Sequence, residues 1–302
     1  MLRRVLLYFS QSERLRRFLE TSPAGRQLSA RFVAGLTLEA AVEAAKKIQV
    51  EELLTTLDHL GENVTTLEEA AASRDECIRA LQACRAAGME PNVSIKLSQF
   101  GIDLDEKTCR ENLRRLVEAA VECAGFVRVD MESSAYTERT LRIVTDLHER
   151  YAVAGTVIQA YLRRSEADIE MLCRRGIRVR LCKGAYLEPG EAAFQEKEEV
   201  DQNYVRLMKR LLDSGIYHAI ATHDEKMIDA TRRYAADRGL ARTAFEFQML
   251  YGIRRDLQKR LAKDGYRIRL YVPYGSAWYP YFMRRLAERP ANILFLVRNL
   301  VR

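Results

Sequence analysis

Apolar positions along this chain switch between two periods. Short β-branched runs at residues 53–58, 93–97, 126–131, 156–160, 177–182, 218–222, 243–247 and 268–272 predict strands. Between them, apolar positions three and four apart predict amphipathic helices over 67–87, 106–124, 138–151, 166–175, 192–214, 226–238, 253–263 and 279–288. Gly88, Gly125, Gly155, Gly176, Gly215, Gly239 and Gly265 each fall between a helix and the next strand, where a helix end favours positive φ. The first fifty residues read as helical throughout. Leu2, Val5, Leu6 and Phe9, then Leu15, Phe18 and Leu19, recur at helical spacing, and Thr37 is placed to cap a helix over 38–48. Eight β–α units in about 250 residues predict an α/β fold of the (βα)8 TIM-barrel type. The expected division is a helical segment over 1–50 and a catalytic barrel over 51–302. A doubly wound open sheet is the alternative, but no GxGxxG follows any strand.

Composition narrows the class. Fifteen glycines and six prolines in 302 residues argue against a loop-rich all-β protein and against disorder. No apolar run approaches the roughly 20 residues of a membrane span, and no small-residue cleavage site follows the N-terminal apolar patch. The six cysteines, Cys77, Cys84, Cys109, Cys123, Cys173 and Cys182, form no CxxC and have no histidine at zinc-finger spacing. They read as reduced thiols of a cytoplasmic protein. The net charge of +7 is uneven, with +5 over residues 1–31, +9 over 253–302 and −7 between. Basic ends suit an anionic ligand or an anionic membrane surface, or simply form a solvated face. Without interleaved aromatics they do not point to nucleic acid.

A barrel carries its chemistry at the C-terminal ends of its strands. Polar residues collect there: Asp58, Lys96, Asp130 with Glu132, Gln159, Arg180 with Lys183, Thr222 with His223, Glu246 with Gln248, and Tyr271 with Tyr274. Taken alone, Lys96 suits a Schiff base of an aldolase-type barrel as well as a core salt bridge. The adjacent Arg284 and Arg285 suit bidentate capture of a carboxylate, or a basic helix face. Tyr271 and Tyr274 flank Pro273 and offer an aromatic wall to a small ring.

Ordered blocks carry a more specific signal. FVAG and LDHLGE within 32–62 are followed by NVSIKLSQFG (92–101), RVDMES (128–133), VIQAYLRR (157–164), VRLCKGAY (179–186) and VDQNY (200–204). ATHD (221–224), FEFQMLYG (245–252), YVPYG (271–275) and YFMRRLAERPAN (281–292) complete the series. Over essentially residues 30–302 the chain resembles the proline dehydrogenase family, in its short stand-alone bacterial form. The resemblance implies a distorted (βα)8 barrel that binds FAD non-covalently, oxidises L-proline to Δ1-pyrroline-5-carboxylate and passes electrons to a quinone. It implies that Lys96, Tyr271, Arg284 and Arg285 bind substrate, with Tyr271 on the proline ring and the arginines on its carboxylate. Asp130 and Arg180 become active-site residues, with Arg180 also at the flavin ring. Met131, Gln159, Lys183, Gly184, Ala185, Thr222 and His223 match cofactor contacts. Glu288 is spaced to orient one of the two arginines, and an ion pair between Lys96 and Asp130 is expected. His59 reads as structural, with Asp58 close to the site. Residues 276–280 are shorter than in the bifunctional form, which leaves the lid geometry open.

On this reading the proline nitrogen must be neutral before hydride leaves. No histidine or carboxylate in the blocks is an evident base, so the proton is expected to go to solvent. The protein then supplies orientation and charge. Electron transfer to a lipid-borne quinone suggests peripheral contact with the inner membrane face. Apolar residues of the first helix beside Arg3, Arg4, Arg14, Arg16 and Arg17 suit it, unless that helix docks on the barrel. Two alternatives stay open: a barrel lyase using Lys96 as a Schiff base, and a basic scaffolding or nucleic-acid-binding protein without catalysis.

Overall fold

The computed structural model describes residues 31–288 together with Ser22 and Gly25, and of residues 284–288 the backbone alone. The expectations for the first twenty residues, and for the side chains of Arg284, Arg285 and Glu288, lie outside the described residues.

Eight parallel strands close on themselves in chain order. They are β1 (Leu54–His59), β2 (Asn92–Ile95), β3 (Phe126–Val129), β4 (Ala154–Gln159), β5 (Val179–Cys182), β6 (Ala219–Ala221), β7 (Glu246–Leu250) and β8 (Arg267–Tyr274), with β8 paired to β1. Helix α1 (Leu38–Val50) enters the barrel. After the strands in turn come α2 (Leu67–Ala86), α3 (Glu106–Glu122), α4 (Ser134–Tyr151), α5 (Ser165–Arg174), α6 (Lys197–Asp213), α7 (Glu225–Asp237), α8 (Arg255–Lys263) and α9 (Trp278–Glu288). The expected (βα)8 barrel is the fold. Thr37 caps α1 as its position suggests, and Thr66, Asp105 and Asp224 cap α2, α3 and α7 in the same way.

Several local expectations change. Gly125 and Gly155 do not take positive φ; Ala124 and Ala152 do, at 52° and 54°. What those two glycines provide is room. A Cβ at Gly155 would lie 2.4 Å from the Arg178 carbonyl oxygen and 2.9 Å from the Arg128 guanidinium. Strand β7 starts three residues later than 243, because residues 241–244 form a turn closed by Ala244 N–H to the Ala241 carbonyl. Helix α6 begins at Lys197 and not at 192, because Ala193 bridges to Leu162 and Phe194 N–H donates to the Tyr161 carbonyl.

The apolar core is a ring between strands and helices. Leu57, Val93, Val127, Leu181, Phe247 and Leu270 belong to it, and helix residues such as Leu81, Leu113, Leu211 and Leu261 meet them. Each such side chain, fully buried, contributes about 1.5–3 kcal/mol. Residues alternate along a strand, so the intervening positions face the barrel axis. Those positions are where the polar residues lie.

Candidate active site

Strand register places Asp58, Ser94, Arg128 and Gly155 in one inward row, and Arg180 level with Val157 and Ala219. Gly155 leaves space that the Arg128 guanidinium fills. Arg180 reaches across the axis from β5. Its Nη1 lies 2.7 Å from Asp130 Oδ1, its Nη2 lies 2.8 Å from Ser94 Oγ, and its Nε donates to Gln248 Oε1.

Asp130 follows β3, and its other oxygen accepts from Tyr271 Oη at 2.8 Å. The Arg180 guanidinium carbon also sits 5.2 Å from the centre of the Tyr271 ring, within cation–π range. Both residues are therefore fixed by Asp130 and by each other. Burial, then the Asp130 and Asp58 carboxylates, pushes the Tyr271 phenol well above its ordinary pKa.

Lys96 ends the second strand's run. Its Nζ lies 3.3 Å from Glu62, 3.6 Å from Asp58 and 3.9 Å from Asp130. Lys96 thus faces Asp130 more loosely than it faces Glu62. Burial opposes its charge, but the Asp58, Glu62 and Asp130 carboxylates outweigh burial and raise its pKa. An ammonium so held is a poor Schiff-base nucleophile, which argues against the lyase reading. Asp58 is fully buried, with neither carboxylate oxygen hydrogen-bonded. Burial raises its pKa despite Lys96.

The ends of β4, β5 and β6 form the other half of the rim. Gln159 is buried and donates to the Glu132 carbonyl at 2.9 Å. Met131 is packed in the apolar core. Lys183 is ion-paired to Asp201 and, at 2.7 Å, to Asp224. Gly184 has φ +115°, and a Cβ on it would lie 2.3 Å from the Tyr161 ring. Ala185 is half-buried. The Tyr161 hydroxyl is buried without a hydrogen-bond partner. Thr222 Oγ1 accepts from Asp224 N–H. His223 Nε2 accepts from Leu250 N–H at 2.9 Å, so in the neutral ring the proton is on Nδ1.

The structure brings Asp130, Arg180, Lys96 and Tyr271 into one contact group, with Gln159, Lys183, Gly184, Ala185, Thr222 and His223 around the neighbouring strand ends. Positions 284 and 285 fall on α9. Sequence reasoning missed Glu62 and Ser94 as members of the group. Ser94 is two before Lys96 on one strand face, so spacing marks it, whereas Glu62 lies in the loop after β1, where no period places it. Among the described residues no cluster is arranged to hold a metal ion, and no helix is long and apolar enough to cross a membrane. Cys77, Cys84, Cys109, Cys123 and Cys173 form no disulfide, and burial pushes the Cys84 and Cys109 thiols up to about 12.

Fold and site define a (βα)8-barrel protein with a buried cluster of cations and carboxylates at the C-terminal strand ends. Residues 41–298 match the family described as proline dehydrogenase. The chain is 42% identical over 303 residues to Proline dehydrogenase 1 of Bacillus subtilis subsp. natto, covering 100% of each. It is 43% identical over 280 residues to the proline dehydrogenase of Deinococcus radiodurans, covering 91% of this chain and 90% of that one. The bifunctional protein PutA of Escherichia coli is 28% identical over 322 residues, 91% of this chain and 24% of PutA. The crystal structure of PutA from Bdellovibrio bacteriovorus inactivated by N-propargylglycine superposes with a TM-score of 0.83. That match has 24% identity over 94% of this chain and 38% of that one, a likeness of fold. The chain belongs to the proline dehydrogenase family and is an oxidoreductase.

Proposed function

We propose that this protein oxidises L-proline to Δ1-pyrroline-5-carboxylate with FAD as cofactor and a quinone as electron acceptor. The observation that carries the reading is the Lys96–Asp130–Arg180–Tyr271 group at the barrel mouth, in a chain of this family.

The residues present fit a flavin dinucleotide. Gly184 leaves bare backbone beside Tyr161, the Tyr161 hydroxyl lacks a protein partner, and Arg180 and Lys183 put two cations on one strand and its end. Lys183, Gly184, Ala185, Gln159, Met131, Thr222 and His223 would hold the cofactor, with Arg180 at its ring. When bound, FAD supplies a hydride acceptor that passes electrons on to the quinone.

The chain's own residues do the rest. Lys96, Arg284 and Arg285 bind the proline carboxylate through charge-assisted hydrogen bonds. The Tyr271 ring covers the apolar face of the pyrrolidine, and its hydroxyl is held by Asp130. Arg180 stays charged and fixed, so positive charge is in place without reorganisation when negative charge develops. The substrate amine gives its proton to solvent. The basic, apolar stretch over residues 1–20 makes peripheral contact with an anionic membrane, at about 1 kcal/mol per basic residue near the surface.

Anaerobic addition of L-proline to the purified flavoprotein tests the reading. Bleaching of the oxidised flavin band by L-proline, and not by D-proline, is expected. Purified protein that carries flavin but shows no bleaching would overturn it. Sedimentation with anionic liposomes, for the full chain against one starting at Ser22, tests the membrane contact; equal pelleting would remove it.

A further inference from the structure

We infer that Gln248 is a positioning residue for the reaction, the joint through which a column of buried charges fixes Arg180. This rests on the reading of Arg180 as the cation beside the flavin.

Gln248 faces the barrel axis from β7, level with Arg269 on β8. Its amide is oriented by its neighbours. Glu246 accepts only, so the Gln248 Nε2–H₂ group must face it. The Gln248 oxygen is then left to accept from Arg180 Nε. An asparagine or a threonine could not span both.

The column beneath is rigid. Glu246 is 2% exposed and receives Arg269 Nε on both oxygens, at 2.9 and 3.1 Å. Tyr217 Oη donates to it as well, at 2.8 Å. Arg269 in turn donates to the Thr55 carbonyl at 2.9 Å and to Glu90 at 2.6 Å. The chain of contacts runs from Glu90, half-exposed at the N-terminal end of the barrel, up the axis to Asp130 and Tyr271 at the other end. Of the three side chains that accept hydrogen bonds from Arg180, Gln248 is the one tied to this column. Ser94 lies within β2 and Asp130 just past β3. Removing the Gln248 oxygen leaves Arg180 Nε buried without an acceptor, and the guanidinium free to turn about its remaining two contacts.

The test compares Gln248→Met, which has no acceptor oxygen, with Gln248→Glu, which retains one. The flavin-loaded proteins are assayed for kcat and KM with proline and for flavin midpoint potential. In Gln248→Met, kcat is expected to fall roughly tenfold to a hundredfold, as misplacement of a charged group does. KM should change less than about threefold, because the carboxylate-binding cations are untouched. The midpoint potential should move to a more negative value. Gln248→Glu should retain most of the turnover at a pH low enough to protonate it, since a neutral carboxyl accepts from Arg180 and donates to Glu246. Its turnover should decline as pH rises, in a profile the unsubstituted protein lacks. If the methionine variant does not fold, Gln248→Leu takes its place with the same expectations. Unchanged kcat and potential in the apolar variants would overturn the inference, as would equal loss in Gln248→Glu at every pH. Absence of proline-driven bleaching in the unsubstituted protein would instead undo the proposed reaction.

Discussion

Arg180 crosses the barrel from the fifth strand to reach the carboxylate of Asp130, with Nη1 and Oδ1 2.7 Å apart and both side chains nearly buried. Breaking such a pair from one side leaves an uncompensated charge, at about 3–5 kcal/mol. Arg180→Gln is therefore expected to lower stability by about that amount, and Asp130→Asn by a similar one. The double variant should lose less than the sum, by about 1–3 kcal/mol. Urea unfolding of the four proteins measures the coupling, and additive losses would mean the two residues do not stabilise each other.

Tyr271→Phe retains the ring and removes one hydrogen bond to a carboxylate. A bond of that kind is worth about 1.5–3 kcal/mol. Stability should fall within that range, and kcat/KM for proline roughly tenfold, since Asp130 then relies on Arg180 alone with Lys96 at 3.9 Å. Steady-state kinetics beside a denaturant curve separates the two effects. An unaltered kcat/KM would detach the hydroxyl from catalysis.

His218 gives the protein an acid-side dependence outside the active site. Its Nδ1 accepts from Val179 N–H at 2.9 Å, and its Nε2 lies 2.9 Å from Ser214 Oγ. Burial, then the nearby Arg128 and Arg178 charges, pushes its pKa down to about 3. An unfolded histidine titrates near 6.5, so the unfolded chain binds a proton first as pH falls. The contribution is complete above about pH 6.5 and is lost as pH drops towards 3, an order of 4–5 kcal/mol in all. His218→Gln should lower stability at neutral pH and flatten the slope between pH 6 and 4. A slope equal to that of the unsubstituted protein would assign the dependence to the carboxylates.

Gly184 and Gly88 make a matched pair. Both have positive φ, but a Cβ at Gly88 meets nothing within 4 Å, whereas at Gly184 it meets the Tyr161 ring. Gly88→Ala should cost only the left-handed penalty, about 1–2 kcal/mol. Gly184→Ala should displace Tyr161 as well and yield protein with less bound FAD after purification. Flavin content per chain, read from absorbance, checks this. Equal flavin content in both variants would take Gly184 off the cofactor surface.

Much of this was legible in the sequence because the barrel repeats. Eight alternations of period fixed the strand count, and the strand-end rule pointed to Lys96, Asp130, Arg180 and Tyr271 before any contact was visible. What stayed hidden depends on parity and on distance across the axis. Placing the seventh strand at 243–247 left Gln248 just past its end, where it reads as a rim residue. The observed strand, Glu246–Leu250, puts it in mid-strand, where it reaches Arg180. Likewise Gly155 reads as a helix-end glycine, and only the packing shows that it clears space for Arg128. Lys96 and Asp130 do face each other, but the stronger hold on Lys96 comes from Glu62, which no strand run includes.

The division between an apolar ring and a polar axis has a consequence for engineering and for heat resistance. The side chains that keep the barrel closed are not those that line its bore, so the two sets can be varied separately. Filling the annulus better, or improving helix ends, should raise the melting temperature without disturbing the bore. Replacing the buried charges of the bore with well-packed aliphatic side chains could also stabilise the protein, by about 1–4 kcal/mol for a pair. Such a variant would be a sturdier barrel with nothing left to hold Arg180. The charged bore is thus a standing sacrifice of thermal tolerance, and melting temperature alone would be a misleading guide when choosing improved variants.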